Sequence, residues 1–121
     1  MDVEQLWRRY AKIWSSDQST RERELQACLA DDATYCDPNG LLAGRPALSE
    51  YMGGFQDNFP GNGFTIIDVI SHDGGSLARW TQYDANKSTL HYGASFASHD
   101  AEGRLKNING FFPFPGLDPI G

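Results

Sequence analysis

The chain has 121 residues, of which 40% are apolar and 21% are charged, and its formal net charge is −6. This length suits one domain with one core, and the composition is that of a globular protein rather than a disordered or fibrous one. Binding to nucleic acid or to an anionic membrane needs clustered Lys and Arg, which an acidic chain disfavours. We therefore expect a single domain over residues 1–121 with no nucleic-acid or membrane partner.

The compartment is indicated by the N-terminus and the cysteines. The first ten residues lack a positive stretch followed by an apolar one, and no segment reaches the roughly 18 apolar residues of a membrane span. Cys28 and Cys36 are too few for a disulfide framework and lack the paired spacing of a zinc site. We expect a cytoplasmic protein with two reduced thiols.

Two helices are predicted at the start of the chain. Apolar residues recur at intervals of three and four, which predicts a helix over residues 2–16 with a strongly aromatic buried side. A second helix follows Ser19 or Thr20 as its N-cap and is expected to end near Ala30.

A short strand and a third helix come next. The segment ADDATYCDPNG alternates, with Ala33, Tyr35 and Asp37 on one side, so a strand is expected that ends at Pro-Asn-Gly. Pro46 suits the first turn of the third helix. Two adjacent glycines interrupt that helix, each at a cost of about 1 kcal/mol relative to Ala, so a bend or a packing reason is expected.

The rest of the chain predicts an antiparallel meander. Strands are expected over residues 64–71, 77–83, 89–98 and 105–112, and the turns between them are too short for parallel crossovers. Three helices followed by a sheet, with the first strand between the second and third helices, indicate an α+β arrangement. The tail PFPGLDPIG is expected to run over the surface.

Four segments carry a resemblance to a known family: ADDATYCDPNG, GRPALSEYM, FPG and DAEGRLKNINGFF, in this order. They resemble the NTF2-like superfamily, in particular its SnoaL-like and ketosteroid-isomerase-like members, over residues 6–112. The resemblance implies a cone-shaped fold in which a curved, mostly antiparallel sheet wraps around the first of three helices and leaves a cavity. It says less about activity, because this scaffold hosts isomerases, dehydratases, cyclases, epoxide hydrolases and binding proteins.

The resemblance to ketosteroid isomerases implies candidate catalytic residues. Asp37 matches the general base that removes a proton next to a carbonyl, and Tyr10 matches the tyrosine that donates to the enolate oxygen. Ser95 stands where those enzymes place a second, neutral acid, and His91 is a candidate for the cavity histidine of dehydratases. The alternatives are that Asp37 belongs to an Asx-type turn before a proline and that Tyr10 is a core residue.

Two related enzyme types are disfavoured by what this chain lacks. SnoaL-like cyclases carry an acidic residue in a Gly-x-Asp sequence, and this chain has Gly93-Ala94-Ser95 there. Epoxide hydrolases of the fold pair an arginine with a carboxylate two residues later, whereas here Arg79 is followed by Trp80 and Thr81.

The predicted cavity suits a small apolar ligand or substrate. Its expected lining is aromatic, although each residue has a core position as its alternative: Trp14, Tyr35, Phe55, Phe59, Trp80 and Phe111. No metal or other cofactor is expected, because the His, Cys, Asp and Glu residues lack ligand spacing and no glycine-rich phosphate loop joins a strand to a helix.

Two functions follow from these residues. The first is cofactor-independent proton transfer on a small apolar carbonyl compound, of isomerase or dehydratase/cyclase type, with Asp37 as base. The second is a module that binds an apolar ligand or a protein through the same cavity without catalysis. The resemblance also implies a homodimer through the outer sheet face. In agreement, Phe64, Ile66 and Ile70 are predicted on one face of their strand, and apolar residues also occupy the other.

Overall fold

A computed structural model describes residues 1–114. The helices are α1 (Val3–Ile13), α2 (Gln18–Cys28) and α3 (Arg45–Asn58). The strands are β1 (Leu29–Asp37), β2 (Gly40–Ala43), β3 (Gly63–His72), β4 (Gly75–Tyr83), β5 (Thr89–His99) and β6 (Leu105–Phe114). Most of the tail that was predicted to run over the surface lies outside the described residues.

The six strands form one mixed sheet in the order β2-β1-β6-β5-β4-β3. Strands β3 to β6 form the predicted antiparallel meander, and β1 joins its far edge by pairing in parallel with β6. The three helices and this sheet make the α+β arrangement that the sequence predicts. Within residues 1–114, no helix has the length and apolar character needed to cross a membrane.

Aspartates begin the first two helices. The Asp2 carboxylate accepts from the Gln5 N–H at 2.7 Å, and the Gln5 side-chain oxygen accepts from the Asp2 N–H at 3.0 Å, so α1 starts with a capping box. α2 starts at Gln18, two residues before the predicted region, because Asp17 rather than Ser19 or Thr20 is its N-cap. An aspartate caps as well as a serine and adds a negative charge at the positive end of the helix dipole.

The Pro-Asn-Gly sequence is the turn of a hairpin rather than only the end of a strand. Asp37 pairs with Gly40, so Pro38 and Asn39 form a two-residue loop and the chain returns as β2. Gly40 has φ +142°, a conformation that side chains rarely adopt. β2 was not predicted, because four residues carry too little alternation to be recognised as a strand.

A β-bulge alters the predicted faces of β3. Ile66 pairs with Trp80 and Asp68 with Arg79, so Ile67 is an additional residue in the ladder. Beyond the bulge the alternation reverses, and Ile70 lies on the outer face instead of sharing a face with Ile66. The side chain of Ile70 is 68% exposed.

Helices and sheet enclose the core on one face of the sheet. Its largest fully buried members come from every layer: Trp7, Ile13, Leu25, Leu29, Leu48, Met52, Leu105 and Ile108. Trp7 also anchors α1 to the sheet, because its indole N–H donates to Ser76 Oγ at 2.8 Å, and His99 Nε2 lies 2.7 Å from the same oxygen. A buried indole therefore has its polar group satisfied.

The paired glycines of α3 have a packing explanation in one case. A Cβ atom on Gly53 would lie 3.2 Å from Nη2 of Arg21, a buried side chain whose Nε donates to Ser49 Oγ at 3.0 Å. Gly53 therefore makes room for this guanidinium against α3. A Cβ atom on Gly54 would meet nothing within 4 Å.

Candidate active site

A cavity of about 710 Å³ lies between α1, α3 and the inner face of the sheet. This volume is in the range of small-molecule sites, and its walls are largely aromatic. The aromatic side chains that line it are Trp7, Tyr10, Trp14, Tyr35, Tyr51, Phe55, Phe59, Phe64, Trp80, His91 and Phe112.

The Asp37 carboxylate lies in this cavity and also closes the hairpin turn. Its Oδ1 accepts from the Asn39 backbone N–H at 2.7 Å, which makes an Asx-type turn. Its Oδ2 accepts from the hydroxyls of Tyr35 and Tyr51, each at 2.8 Å. Asp37 therefore makes the Asx-type turn through Oδ1 and also belongs to the cavity lining.

Two elements bring these donors to Asp37. Tyr35 precedes it by two residues on β1, so strand alternation places both side chains on the inner face. Tyr51 comes from α3, and its hydroxyl also accepts from Asn39 Nδ2 at 3.1 Å. Sequence reasoning missed Tyr51 as a site residue, because its contact with Asp37 depends on how α3 packs on β1.

Tyr10 lines the cavity, and its buried hydroxyl is unsatisfied. The residue is 5% exposed, and its Oη has no hydrogen-bond partner within residues 1–114. Burial raises the pKa of Tyr10 far above its usual range; the nearby Trp14 side chain opposes this rise but does not meet the geometry of a hydrogen bond. The hydroxyl therefore stays protonated at neutral pH, and its hydrogen has no acceptor within residues 1–114.

The other two tyrosines of the site are also held in the protonated form. Burial is the largest cause that raises the pKa of Tyr35, followed by the proximity of Tyr10 and Asp37. Burial also raises the pKa of Tyr51. Both hydroxyls are thus available as donors to the Asp37 carboxylate at any pH near neutrality.

Ser95 lies across the sheet from Asp37, with Gly110 between them. The Trp80 indole N–H donates to Ser95 Oγ at 3.0 Å, which occupies a lone pair and leaves the serine hydrogen free to donate elsewhere. A Cβ atom on Gly110 would lie 3.3 Å from Ser95 Oγ and 3.8 Å from Tyr35 Oη. The glycine therefore keeps open the space between Ser95 and the Asp37 cluster.

His91 lines the same cavity further along β5. Its ring stacks on Phe112 at a centroid distance of 5.8 Å and lies 6.0 Å from the Trp80 ring. Within the described part of the chain, neither ring nitrogen of His91 takes part in a hydrogen bond. The structure thus brings all four predicted catalytic residues, Tyr10, Asp37, His91 and Ser95, to one cavity.

Five of the six predicted ligand-binding residues line the cavity: Trp14, Tyr35, Phe55, Phe59 and Trp80. The prediction for Phe111 is wrong in its location. Phe111 is 55% exposed on the outer face, where it stacks on Phe96 at 5.8 Å, and the inward aromatic residue is Phe112. Ile108 and Gly110 point inward, so strand alternation turns Phe111 out and Phe112 in.

Arg79, the arginine considered for epoxide chemistry, lies outside the cavity lining and forms a salt bridge with Asp68 on the neighbouring strand. Within residues 1–114, no group of three or more His, Cys, Asp or Glu side chains is arranged to hold a metal ion. The polar groups that this cavity offers are hydroxyls, carboxylates, amides and one imidazole.

Solved structures of similar shape support the fold. A protein from Agrobacterium tumefaciens, named as a proposed isomerase of the SnoaL-like family, has a TM-score of 0.83 and 21% identity over 88% of this chain and 93% of that one. A protein from Catenulispora acidiphila with a ketosteroid-isomerase-like fold, solved in complex with trimethylamine, has a TM-score of 0.74 and 13% identity over 93% and 88% of the two chains. A proposed polyketide cyclase from Xanthomonas campestris has a TM-score of 0.66 and 17% identity over 90% and 88%.

A family model of the sequence assigns this chain to a family. No curated protein gives a significant match to this chain. The model of the SnoaL-like domain matches residues 7–107, a range that contains α2, α3, the first five strands and most of α1. The chain therefore belongs to the SnoaL-like domain family.

Proposed function

We propose that this protein catalyses cofactor-independent proton transfer on a small, mostly apolar carbonyl compound, with Asp37 as the general base. One observation carries the proposal: Asp37 and Tyr10 line the same largely aromatic cavity, and the buried Tyr10 hydroxyl has no hydrogen-bond partner within residues 1–114. Removing a proton next to a carbonyl needs a base at the carbon and a donor at the oxygen, where negative charge develops.

Each residue has a defined task in this reaction. Asp37 accepts the proton, and Tyr10 donates to the carbonyl oxygen as it becomes an enolate. Ser95 is suited to be a second donor, because Trp80 already occupies its oxygen and leaves its hydrogen free. Tyr35, Tyr51 and the Asn39 N–H hold the carboxylate in one orientation. His91 is placed to exchange a proton with a more distant part of the substrate.

The alternative is binding without catalysis, and one feature of Asp37 favours it. The carboxylate already accepts three hydrogen bonds, and each of them is weaker once the carboxylate has gained a proton. A carboxylate held in this way is suited to recognise a ligand as well as to take a proton. Turnover separates the two functions, since a binding module gives saturable binding with no product.

The first test is exchange of α protons for deuterium. Uncharged cyclic and aromatic ketones are incubated with the protein in deuterium oxide, and loss of the α-proton signal is followed by NMR. We expect Tyr10→Phe to slow exchange by about 10²-fold, the usual effect of losing one donor to a developing oxyanion. Ketone affinity should change much less, because the donor acts mainly in the transition state.

Tyr92→Phe is the matched control, because it removes a hydroxyl from a tyrosine that does not line the cavity. It should exchange at the wild-type rate. Ketones that bind saturably to the wild type without exchange above the buffer rate would instead support the binding module.

We also infer that the outer sheet face forms a homodimer. Large apolar side chains are exposed on it, among them Leu41 at 69%, Ile70 at 68%, Phe96 at 44% and Phe111 at 55%. An exposed apolar group of this size on a soluble protein is typical of an interface. Light scattering should give twice the subunit mass of 13.4 kDa for the wild type and the subunit mass for Phe96→Glu.

Gln26→Glu is the control for the dimer, since Gln26 is exposed on α2, and the helices cover the other face of the sheet. It should leave the mass unchanged. A wild-type protein with the mass of one subunit would refute this interface.

A further inference from the structure

The charges around the cavity have one sign. Asp37 and Glu50 are its acidic lining residues, and among the residues that the structure describes no Lys or Arg lines it. His91 is the one lining residue, among those that the structure describes, whose side-chain nitrogen can take up a proton. A ligand that enters the cavity therefore meets negative charge with no cation to balance it.

The arginines near other carboxylates are held elsewhere. Arg9 pairs with Glu24 at 2.7 Å, Arg104 pairs with Asp100 at 2.8 Å, and Arg45 forms a salt bridge with Asp31. Arg21 is buried behind α3, where it donates to Ser49 and to the Ser16 carbonyl. None of these side chains lines the cavity, so none is placed to neutralise Asp37.

Neutral donors alone stabilise the Asp37 carboxylate. Two tyrosine hydroxyls and one backbone N–H satisfy it without cancelling its charge. An anionic ligand would lose its hydration on entry and would be repelled by this charge in surroundings of low dielectric constant. A cationic ligand would pay a similar desolvation cost but would gain an attraction that neutral donors cannot supply.

The aromatic walls favour cations in the same way. The Trp14 ring packs against Tyr51 and Phe55 at centroid distances of 5.8 and 5.6 Å, and the Phe55 ring stacks on Phe64 at 5.1 Å. Faces of aromatic rings carry partial negative charge and attract ammonium groups. A ring face that contacts a cationic ligand would therefore act in the same direction as the carboxylates.

Asp37 and Glu50 line the same cavity from two elements, β1 and α3. Tyr51, the neighbour of Glu50 on α3, donates to Asp37 Oδ2 at 2.8 Å. Asp37 is 9% exposed, whereas Glu50 is an exposed residue with no salt bridge within residues 1–114. One negative charge is thus inside the cavity and the other is closer to solvent.

We propose that the ligand of this cavity carries a protonated amine on an apolar frame and that Asp37 and Glu50 select it over carboxylates of the same shape. The proposal names the ligand class of the site used in the proposed function. It rests on the proposed function only in assuming that the ligand binds in the same cavity. It holds whether or not Asp37 takes a proton from carbon.

The test is calorimetric titration of the full chain with three compounds of one shape but different charge at neutral pH: naphthylmethylamine, naphthylmethanol and naphthoate. We expect the amine to bind most tightly and naphthoate at least about tenfold more weakly than the alcohol, because unpaired like charges meet at low dielectric constant. Naphthoate that binds as tightly as the alcohol would overturn the proposal.

Glu50→Gln tests the outer of the two charges. This variant should lower the ratio of amine to naphthoate affinity by roughly threefold to tenfold and leave the alcohol unchanged, as for removal of one partly screened charge. Raising the salt from about 50 mM to about 500 mM should reduce the same ratio in the wild type. Glu22→Gln, an exposed glutamate on α2 outside the cavity lining, is the matched control and should change nothing.

The result separates this proposal from the proposed function. Amine preference without α-proton exchange would leave the ligand class correct and the reaction wrong. Exchange on neutral ketones with equal affinity for all three probes would leave the reaction correct and the ligand class wrong. An amine-to-naphthoate ratio that Glu50→Gln does not alter would refute the role of this carboxylate.

Discussion

Replacing Asp37 with Asn should lower the rate of α-proton exchange by about 10² to 10⁴-fold, which is the contribution of a well-placed general base. An amide has nearly the shape of a carboxylate but is not basic. The change therefore removes the proton acceptor without altering the size of the side chain. The amide oxygen can still accept from the Asn39 N–H, so the hairpin turn should persist. Deuterium exchange followed by NMR gives the rate, and calorimetry with a neutral ketone gives the affinity.

The matched control for this substitution is Asp84→Asn. Asp84 also accepts backbone hydrogen bonds in a turn, from Asn86 at 2.9 Å and Ser88 at 3.0 Å, but it does not line the cavity. It should exchange ketone protons at the wild-type rate. An Asp37→Asn protein that is folded, binds ketones and retains the full exchange rate would eliminate Asp37 as the base.

Gly93→Ala should reduce the free energy of unfolding by about 1–3 kcal/mol, the usual cost of overpacking a filled site. Gly93 pairs directly with Trp80 across β5 and β4, and the indole lies over the glycine. A Cβ atom on Gly93 would lie 2.6 Å from Trp80 Cε2 and closer still to two further ring atoms. The indole must therefore move, and its hydrogen bond to Ser95 should weaken with it.

Urea denaturation measures the stability of this variant, and the NMR resonance of the Trp80 indole N–H reports whether the ring has moved. Gly54→Ala is the control, because a Cβ atom there meets nothing within 4 Å and alanine favours the helix by up to about 1 kcal/mol. It should be as stable as the wild type or more so. A Gly93→Ala protein of wild-type stability with an unshifted indole resonance would contradict direct packing of Trp80 on Gly93.

Strand alternation accounts for the part of the site that was predictable. Ala33, Tyr35 and Asp37 lie two residues apart on β1, so their side chains share one face of the sheet. All three are buried on the inner face. The same rule relates His91 to Ser95 on β5. Tyr10 follows from the helical repeat of α1, which turns its aromatic residues toward the sheet.

The two errors in strand face, at Phe111 and in β3, occur where neighbouring residues are all apolar, so that alternation does not show which of them points inward. Phe111 and Phe112 are both apolar, and composition alone does not decide which one points inward. The bulge at Ile67 reverses the faces of β3, and no local signal in a run of apolar residues marks where the additional residue is accommodated. Both errors are shifts of one residue in strand phase, which a sheet converts into opposite faces.

The sequence by itself determined the three helices and every strand except β2, because periodicity and turn chemistry act between residues that are near in the chain. Its resemblance to the NTF2-like superfamily implied the aromatic cavity. Only the tertiary structure decided that Tyr51 reaches Asp37, that the Tyr10 hydroxyl has no partner within residues 1–114, and that no Lys or Arg among those residues lines the cavity. These facts depend on contacts between distant segments, whose geometry is set by how the whole core packs.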